Sequence, residues 1–251
     1  QRHLRGTDEF LDVPWDEALE LAANELKRIA DEHGNTAIFG GSYGWASAGR
    51  FHHAQSQLHR FLNLMGGCTR AMNSYSTAAA QVILPHVIAP WPQMELQQTT
   101  LQNVIEHTQL FVAFGGLPKR NAQVAYGGVT EHRTAIDLSR ARAAGTQFVS
   151  ISPIANDTEA DLDANWLAPV PGTDVALMLG LAYVLETQNL TATAFLRSHC
   201  VGYAKVRDYL LGKADGVAKT PHWASIICGV SVDEIESLAR QMASRRTFLT
   251  A

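Results

Sequence analysis

Cysteine is scarce in this 251-residue chain, and the three cysteines lie far apart. Their odd number and wide spacing, at Cys68, Cys200 and Cys228, exclude a disulfide framework. They also exclude any Cys-x-x-Cys arrangement for zinc or an iron–sulfur cluster within this segment. We therefore expect reduced thiols that are mostly buried as small apolar residues.

Basic clusters, long apolar runs and two common motifs are also missing. The formal net charge is −4 and no Lys/Arg block is longer than a pair, which argues against a nucleic-acid partner. No apolar run reaches membrane-spanning length, so we expect no direct membrane insertion. The chain contains neither a Gly-x-Gly-x-x-Gly nicotinamide fingerprint nor a His-Glu-x-x-His zinc motif.

The composition that remains is that of a globular protein, with 46% hydrophobic and 18% charged residues. This length allows one large domain or two modest ones. Gln1 is not a methionine, and an apolar, strand-like run begins within the last six residues, 246–251. We therefore expect a piece of a longer polypeptide, for which both a cytoplasmic and a periplasmic location stay open.

Hydrophobic periodicity predicts several elements in the first 95 residues. The predicted helices are 13–32, 51–65 and 77–84, the last ending at Pro85, and 36–39 is predicted as a strand. The stretch 88–98 is rich in proline and predicted to be irregular, and 99–108 is polar. We place a domain boundary there, between 1–95 and 96–251.

Strands and helices alternate after this boundary. Strands are predicted at 110–114, 147–151 and 166–170, and helices at 134–144 and 175–186. Strands that alternate with helices and end in glycine-rich turns indicate an α/β fold with a parallel, doubly wound, Rossmann-like sheet.

Ligands of such sheets bind beyond the carboxyl ends of the strands. Three loops qualify: 115–121, 152–158 and 171–174. In the last loop, Gly172 permits close backbone approach, Thr173 or Asp174 can cap the following helix, and the carboxylate can accept hydrogen bonds from a purine edge. A helix cap with no ligand is the alternative interpretation of this loop.

A second glycine-rich loop, 40–50, follows the apolar pair at 38–39 and carries Tyr43 and Trp45. Downstream, Tyr75-Ser76-Thr77 precedes three alanines. By themselves, the two aromatic residues are typical of loop anchors, and Ser76 is typical of a helix N-cap.

Taken together, Tyr43-Gly44-Trp45, Tyr75-Ser76-Thr77 and Leu84-Pro85-His86 resemble the dimethyl sulfoxide reductase family of molybdenum enzymes. The stretches at 51–53 and 55–57 look most like the biotin sulfoxide reductase group within the branch that also contains the trimethylamine N-oxide reductases. The resemblance implies that 1–95 is part of a discontinuous α/β domain carrying the metal ligand. It implies that 96–251 is a Rossmann-like dinucleotide-binding domain that is truncated at its end.

The resemblance also implies the chemistry of the site. Ser76 would be the only protein ligand to molybdenum, held as an alkoxide by the metal charge. Tyr43 and Trp45 would donate hydrogen bonds to the oxygen atom that is transferred. The cofactor would be molybdenum with bis(molybdopterin guanine dinucleotide).

Further cofactor contacts are carried over by position. Pterin and phosphate contacts would come from Trp45, Ala46 and Ser47, and phosphate contacts from Lys119, Arg120 and Asn121. A guanosine pocket would be lined by Ser152, Pro153, Pro171, Gly172, Thr173 and Asp174.

The implied function is the two-electron reduction of an S-oxide or N-oxide, such as biotin, methionine or dimethyl sulfoxide, or trimethylamine N-oxide. Its implied partners are the small-molecule substrate, a redox electron donor and the remainder of the same polypeptide, without which this fragment would be inactive. A non-catalytic nucleotide-binding or assembly domain, in which these loops only cap helices, stays open as the alternative.

Overall fold

A computed structural model describes residues 6–7, 10–42, 44, 47, 49, 51–74, 76–123 and 131–251. The described residues divide into two units, the first reaching to Gln97 and the second starting at Gln98. In these residues, no helix combines the length and the apolar composition that spanning a bilayer requires.

The described part of the first unit contains four α-helices: α1 (Trp15–His33), α2 (Ala54–Leu64), α3 (Ala78–Val87) and α4 (Trp91–Leu96). Helix α1 follows Pro14, has acidic residues in its first turn and ends at Gly34, whose φ is 78°. The helices predicted at 13–32 and 51–65 are therefore confirmed to within three residues at each end.

The strand predicted at 36–39 is wrong. Asn35–Ala37 forms a 3-10 turn, and pairing is limited to an isolated parallel bridge between Phe39 and Thr69. The Asn35 side chain donates to the carbonyl oxygens of Met65 at 2.9 Å and Gly67 at 3.1 Å. These contacts, distant in sequence, hold the chain in a turn where its local pattern favours a strand.

Two predictions based on prolines also differ from the structure. Helix α3 runs past Pro85 to Val87, and the Ile88 N–H still donates to the Leu84 carbonyl at 2.8 Å. The stretch 88–98, predicted to be irregular, contains α4, which has Pro90 as its N-cap and a second proline in its first turn. Proline is favoured in a first helical turn because the N–H it lacks has no helical partner there.

The second unit contains most of the regular structure. In chain order its elements are α5 (Leu101–His107), β1 (Leu110–Phe114), α6 (Thr134–Ala143), β2 (Gln147–Ile151), β3 (Asn165–Leu167), α7 (Asp174–Thr187), α8 (Thr193–His199), α9 (Tyr203–Leu210), α10 (Pro221–Cys228), α11 (Val232–Ser244) and β4 (Thr247–Thr250). The predicted strands and helices at 110–114, 134–144, 147–151 and 175–186 are confirmed. The third strand is shorter than predicted, and α5 and the four helices α8 to α11 were not predicted.

The sheet is entirely parallel, with strand order β3-β2-β1-β4. The chain moves outward from β1 to β3 and returns to the other side of β1 with β4. This reversal of direction is the signature of a doubly wound sheet, and it confirms the predicted fold class.

Both faces of β1 are buried. Leu110, Val112 and Phe114 share a hydrophobic cluster with residues of α7, α10 and α11, whereas Phe111 and Ala113 share the opposite cluster with residues of α5 and α6. Coverage on both faces explains why β1 is a continuous apolar run with no polar alternation.

The cysteines differ from expectation. Cys228 is buried, but Cys68 is half-buried and Cys200 is exposed. Cys200 lies at the C-cap of α8, where the chain leaves the helix at the surface.

Candidate functional site

The loop 40–50 is fixed where it begins. The Thr69 N–H donates to the Ile38 carbonyl at 2.8 Å, and the Gly40 N–H donates to the Thr69 carbonyl at 3.0 Å. A Cβ on Gly40 would lie 2.6 Å from Leu62 Cδ1 of α2. The loop therefore leaves its bridge in close contact with α2, and any larger residue at this position would displace the Leu62 side chain.

Three of the residues predicted in this loop, Tyr43, Trp45 and Ala46, lie outside the described residues. Ser47 is described and half-buried, and its N–H donates to the Gly44 carbonyl at 3.0 Å. A Cβ on Gly44 would meet Ser47 Oγ at 2.8 Å and Ala54 Cβ at 3.0 Å. This part of the loop is consequently packed close to the start of α2.

Ser76 lies at the surface, just before α3. The N-cap residue of α3 is Thr77, and the Thr77 N–H donates to the hydroxyl of Ser74 at 3.2 Å. The sequence context of Ser76 alone suggested that it is the N-cap of α3, and the structure shows that it is not. Ser76 immediately precedes the N-cap of a ten-residue helix, whose positively polarised end favours an anionic oxygen.

In the second unit, two glycines at the end of β1 have different surroundings. A Cβ on Gly115 would meet nothing within 4 Å, so the backbone there is open to a ligand. A Cβ on Gly116 would lie 2.4 Å from the Asp157 carbonyl oxygen. The loop after β1 thus touches the loop after β2 at Gly116 and is open at Gly115.

Both cations predicted to bind phosphate are paired with carboxylates. Arg120 Nη2 lies 2.5 Å from Asp157 Oδ1. Lys119 Nζ lies 3.2 Å from Asp161 Oδ1 and 4.0 Å from Glu159 Oε2. The third predicted phosphate contact, Asn121, is exposed, and its N–H donates to the Pro118 carbonyl at 3.0 Å.

Serine hydrogen bonds and these ion pairs lower the pKa of two of the carboxyls in this cluster. Hydrogen bonds from Ser152 and then from Arg120 hold the pKa of Asp157 below its usual range. Hydrogen bonds from Ser139 and then from Lys119 do the same for the pKa of Asp161. Both groups are therefore carboxylates at neutral pH.

The sequence interpretation did not single out Asp157, Glu159 or Asp161. The available signal was the position of Asp157 in the loop after β2, the kind of loop that faces the end of β1 in a parallel sheet. Pairing with particular cations about 40 positions earlier was not readable from the local pattern.

Ser152 is almost fully buried, at 1% exposure, and its polar groups are bound within the chain. Its hydroxyl donates to Asp157 Oδ2 at 2.8 Å, and its carbonyl accepts from Trp166 Nε1 at 2.7 Å. Pro153, the next residue, is exposed. Ser152 therefore stabilises its own loop. The neighbouring Pro153 lies at the protein surface.

The loop between β3 and α7 is the most open of the three. Pro171 and Gly172 are exposed, and a Cβ on Gly172 would meet nothing within 4 Å. Thr173 is the N-cap residue of α7, but its hydroxyl donates to the Val170 carbonyl and does not cap the helix. Asp174, half-buried, is the first residue of the helix.

The structure thus joins Arg120 to the Ser152 loop through Asp157, and it pairs Lys119 with Glu159 and Asp161, which follow that loop. Of the described site residues, Ser47 and Ser76 belong to the first unit, whereas the predicted contacts at 119–121, 152–153 and 171–174 belong to the second. Among the described residues there is no group of three or more His, Cys, Asp or Glu side chains arranged to hold a metal ion.

Comparison with known proteins places these features in context. The family model for molybdopterin oxidoreductase matches residues 2–242. A solved structure, acetylene hydratase from Pelobacter acetylenicus, aligns with a TM-score of 0.53 at 19% identity, over 97% of this chain and 30% of its own. At that identity the likeness concerns the fold alone.

Three curated relatives are much more similar in sequence. Identity is 42% over 246 residues to trimethylamine-N-oxide reductase of Haemophilus influenzae, covering 98% of this chain and 30% of the relative. It is 40% over 250 residues to dimethyl sulfoxide/trimethylamine N-oxide reductase of Cereibacter sphaeroides, covering 100% and 30%. It is 41% over 249 residues to biotin sulfoxide reductase of the same organism, covering 99% and 34%. The chain therefore spans about a third of the length of these relatives.

Proposed function

This chain belongs to the molybdopterin oxidoreductase family, and on that premise we propose that it is the part of an S-oxide or N-oxide reductase that supplies the protein ligand to molybdenum. The observation that carries the proposal is identity of 40 to 42% to three such reductases across at least 98% of this chain. Because the chain spans only about a third of each relative, the complete activity requires the remaining polypeptide.

We further propose that the cofactor is bis(molybdopterin guanine dinucleotide). The open backbone at Gly115 and Gly172 supports this, since a bulky polyanionic ligand needs close approach at the ends of β1 and β3. Asp174, at the start of α7, supplies a carboxylate suited to the paired N–H groups of a guanine edge. Pro153, exposed beside Ser152, adds an apolar surface to this pocket.

Ser76 is exposed, and its hydroxyl is of the hard oxygen type that suits an oxidised molybdenum. When bound, the cofactor would supply the two-electron chemistry that removes an oxygen atom from the substrate. Ser76 would hold the metal as a deprotonated hydroxyl, next to a helix end that favours an anionic oxygen. By the family resemblance, Tyr43 and Trp45 would donate their O–H and N–H to the substrate oxygen and orient it, and Ala46 and Ser47 would contact the pterin.

The test is Ser76→Ala in the full-length protein from a cofactor-competent host, with Ser74→Ala as the matched control. Ser76→Ala should lower reduction of dimethyl sulfoxide and trimethylamine N-oxide by about a hundredfold or more, because the metal loses its protein ligand. Ser74→Ala, which removes the hydroxyl that bonds the Thr77 N–H, should lower stability by about 1 kcal/mol and leave the chemistry largely intact.

Molybdenum and guanine nucleotide are measured for each protein. Normal turnover in Ser76→Ala would show that the ligand assignment is wrong. Wild-type protein free of both molybdenum and guanine nucleotide would contradict the enzyme proposal and favour a non-catalytic nucleotide-binding or assembly domain.

A further inference from the structure

Asp157 lies where the loops after β1 and β2 meet. Its carbonyl accepts the Leu117 N–H at 2.6 Å, and the same N–H lies 3.1 Å from the Thr158 hydroxyl. A Cβ on Gly116 would come within 2.4 Å of that carbonyl. The backbone of Asp157 is therefore held in place by direct contact between the two loops.

The two oxygens of the Asp157 carboxylate bind different partners. Oδ2 accepts from the buried Ser152 hydroxyl at 2.8 Å, and Oδ1 accepts from Arg120 Nη2 at 2.5 Å. The Asp157 side chain is 15% exposed, whereas that of Arg120 is 65% exposed. A fixed acceptor thus restrains a guanidinium that reaches into solvent.

The net charge of this cluster would not by itself attract an anion. Two cations, Lys119 and Arg120, face three carboxylates, Asp157, Glu159 and Asp161, which leaves one excess negative charge. Any preference of the cluster for an anionic group must come from the direction in which its donors point. A guanidinium has five N–H donors in a rigid fork, so an ion pair through Nη2 leaves it able to bind an oxyanion as well.

We propose that Asp157 is a positioning residue, which holds Arg120 in the orientation in which its other donors bind a phosphate of the dinucleotide cofactor. The inference rests on the proposed function, since that function supplies the phosphate. It adds a residue that acts through Arg120 and does not itself touch the cofactor.

The experiment measures molybdenum and guanine nucleotide retained by the purified full-length protein after mild urea treatment. The variants are Asp157→Asn, Arg120→Gln and the double variant. The control is Asp163→Asn, which breaks a similar ion pair, to Arg142, elsewhere on this unit.

Asp157→Asn should retain about threefold less cofactor than wild type, and the control should match wild type. In the Arg120→Gln background, Asp157→Asn should cause little further loss, because the residue it orients is already gone. Asp157→Glu keeps the charge and should retain more cofactor than Asp157→Asn.

Equal losses from Asp157→Asn in both backgrounds would show that Asp157 acts only through the Ser152 loop, and would overturn the inference. Greater retention of cofactor by Asp157→Asn than by wild type would show that the carboxylate competes with the cofactor for Arg120. That result would also overturn the inference. Both results leave the proposed function intact. Wild-type protein that contains neither molybdenum nor guanine nucleotide would overturn both proposals.

Discussion

Single side chains in the second unit join helices that are separate in sequence. Glu186 of α7 accepts a hydrogen bond from the Tyr203 hydroxyl of α9 at 2.5 Å, and it pairs with Arg207. Burial, together with the bond to the Glu186 carboxylate, raises the pKa of Tyr203 to about 12. The bond from Tyr203 and the pairing with Arg207 hold the pKa of Glu186 below its usual range.

The raised pKa of Tyr203 predicts a pH dependence on the alkaline side. The folded protein favours the neutral phenol, so the stabilisation is complete below the ordinary pKa of 10.0 and is lost as the pH rises through about 12. The difference in unfolding free energy between wild type and Tyr203→Phe should therefore shrink between about pH 10 and pH 12.

The absorbance of ionised tyrosine at alkaline pH provides a direct check. Of the six tyrosines, one late-titrating group should disappear in Tyr203→Phe. A wild-type titration with no group ionising later than pH 11 would contradict the assignment.

At the scale of secondary-structure elements, close packing can require a residue that helix propensity disfavours. Gly180 lies in the middle of α7, where glycine costs about 1 kcal/mol relative to alanine. A Cβ at this position would lie 2.7 Å from the Cβ of Ala224 in α10. The absence of a side chain therefore sets how closely the two helices approach.

Gly180→Ala should accordingly destabilise the protein by about 1–3 kcal/mol, because overpacking outweighs the gain in helix propensity. Adding Ala224→Gly moves the methyl group to the other helix and should return the stability toward wild type. Denaturant unfolding of both single variants and the double variant measures the coupling. A more stable Gly180→Ala would show that α7 and α10 are not in close contact there.

For the molecule as a whole, the sheet of the second unit is held by hydrophobic layers on both faces. Leu177, at 0% exposure, belongs to the layer that α7 contributes, whereas Val175 of the same helix is 67% exposed. Burial of this kind is the main stabilising contribution in a doubly wound domain.

Leu177→Ala should lower the free energy of unfolding by about 2–5 kcal/mol, since it leaves a cavity in the layer. Val175→Ala, on the exposed face, should change it by less than about 0.5 kcal/mol. Chemical denaturation at neutral pH compares the two. Similar losses in both variants would mean that α7 does not pack on the sheet through Leu177.

The sequence predicted elements well where a local pattern sufficed. The apolar sequence of β1, which is buried along its whole length, and that of α7, which contributes Leu177, Leu181 and Val184 to the core, predicted both elements directly. It missed α5, a seven-residue helix that places Val104 in the core and is capped by the Thr100 side chain. The strand predicted at 36–39 failed because Asn35 bonds to carbonyls 30 and 32 positions away.

By itself, the sequence determined the α/β class, the family resemblance carried by the 40–50 loop and Ser76, and the loops at strand ends that could face a ligand. These follow from patterns within a few residues of one another. The tertiary structure alone decided that Lys119 and Arg120 are paired with carboxylates, that the Ser74 hydroxyl accepts the Thr77 N–H at the start of α3, and that Ser152 is buried in its own loop. Ion pairs such as these join residues 37 and 42 positions apart, so folding, and not local spacing, selects the partners.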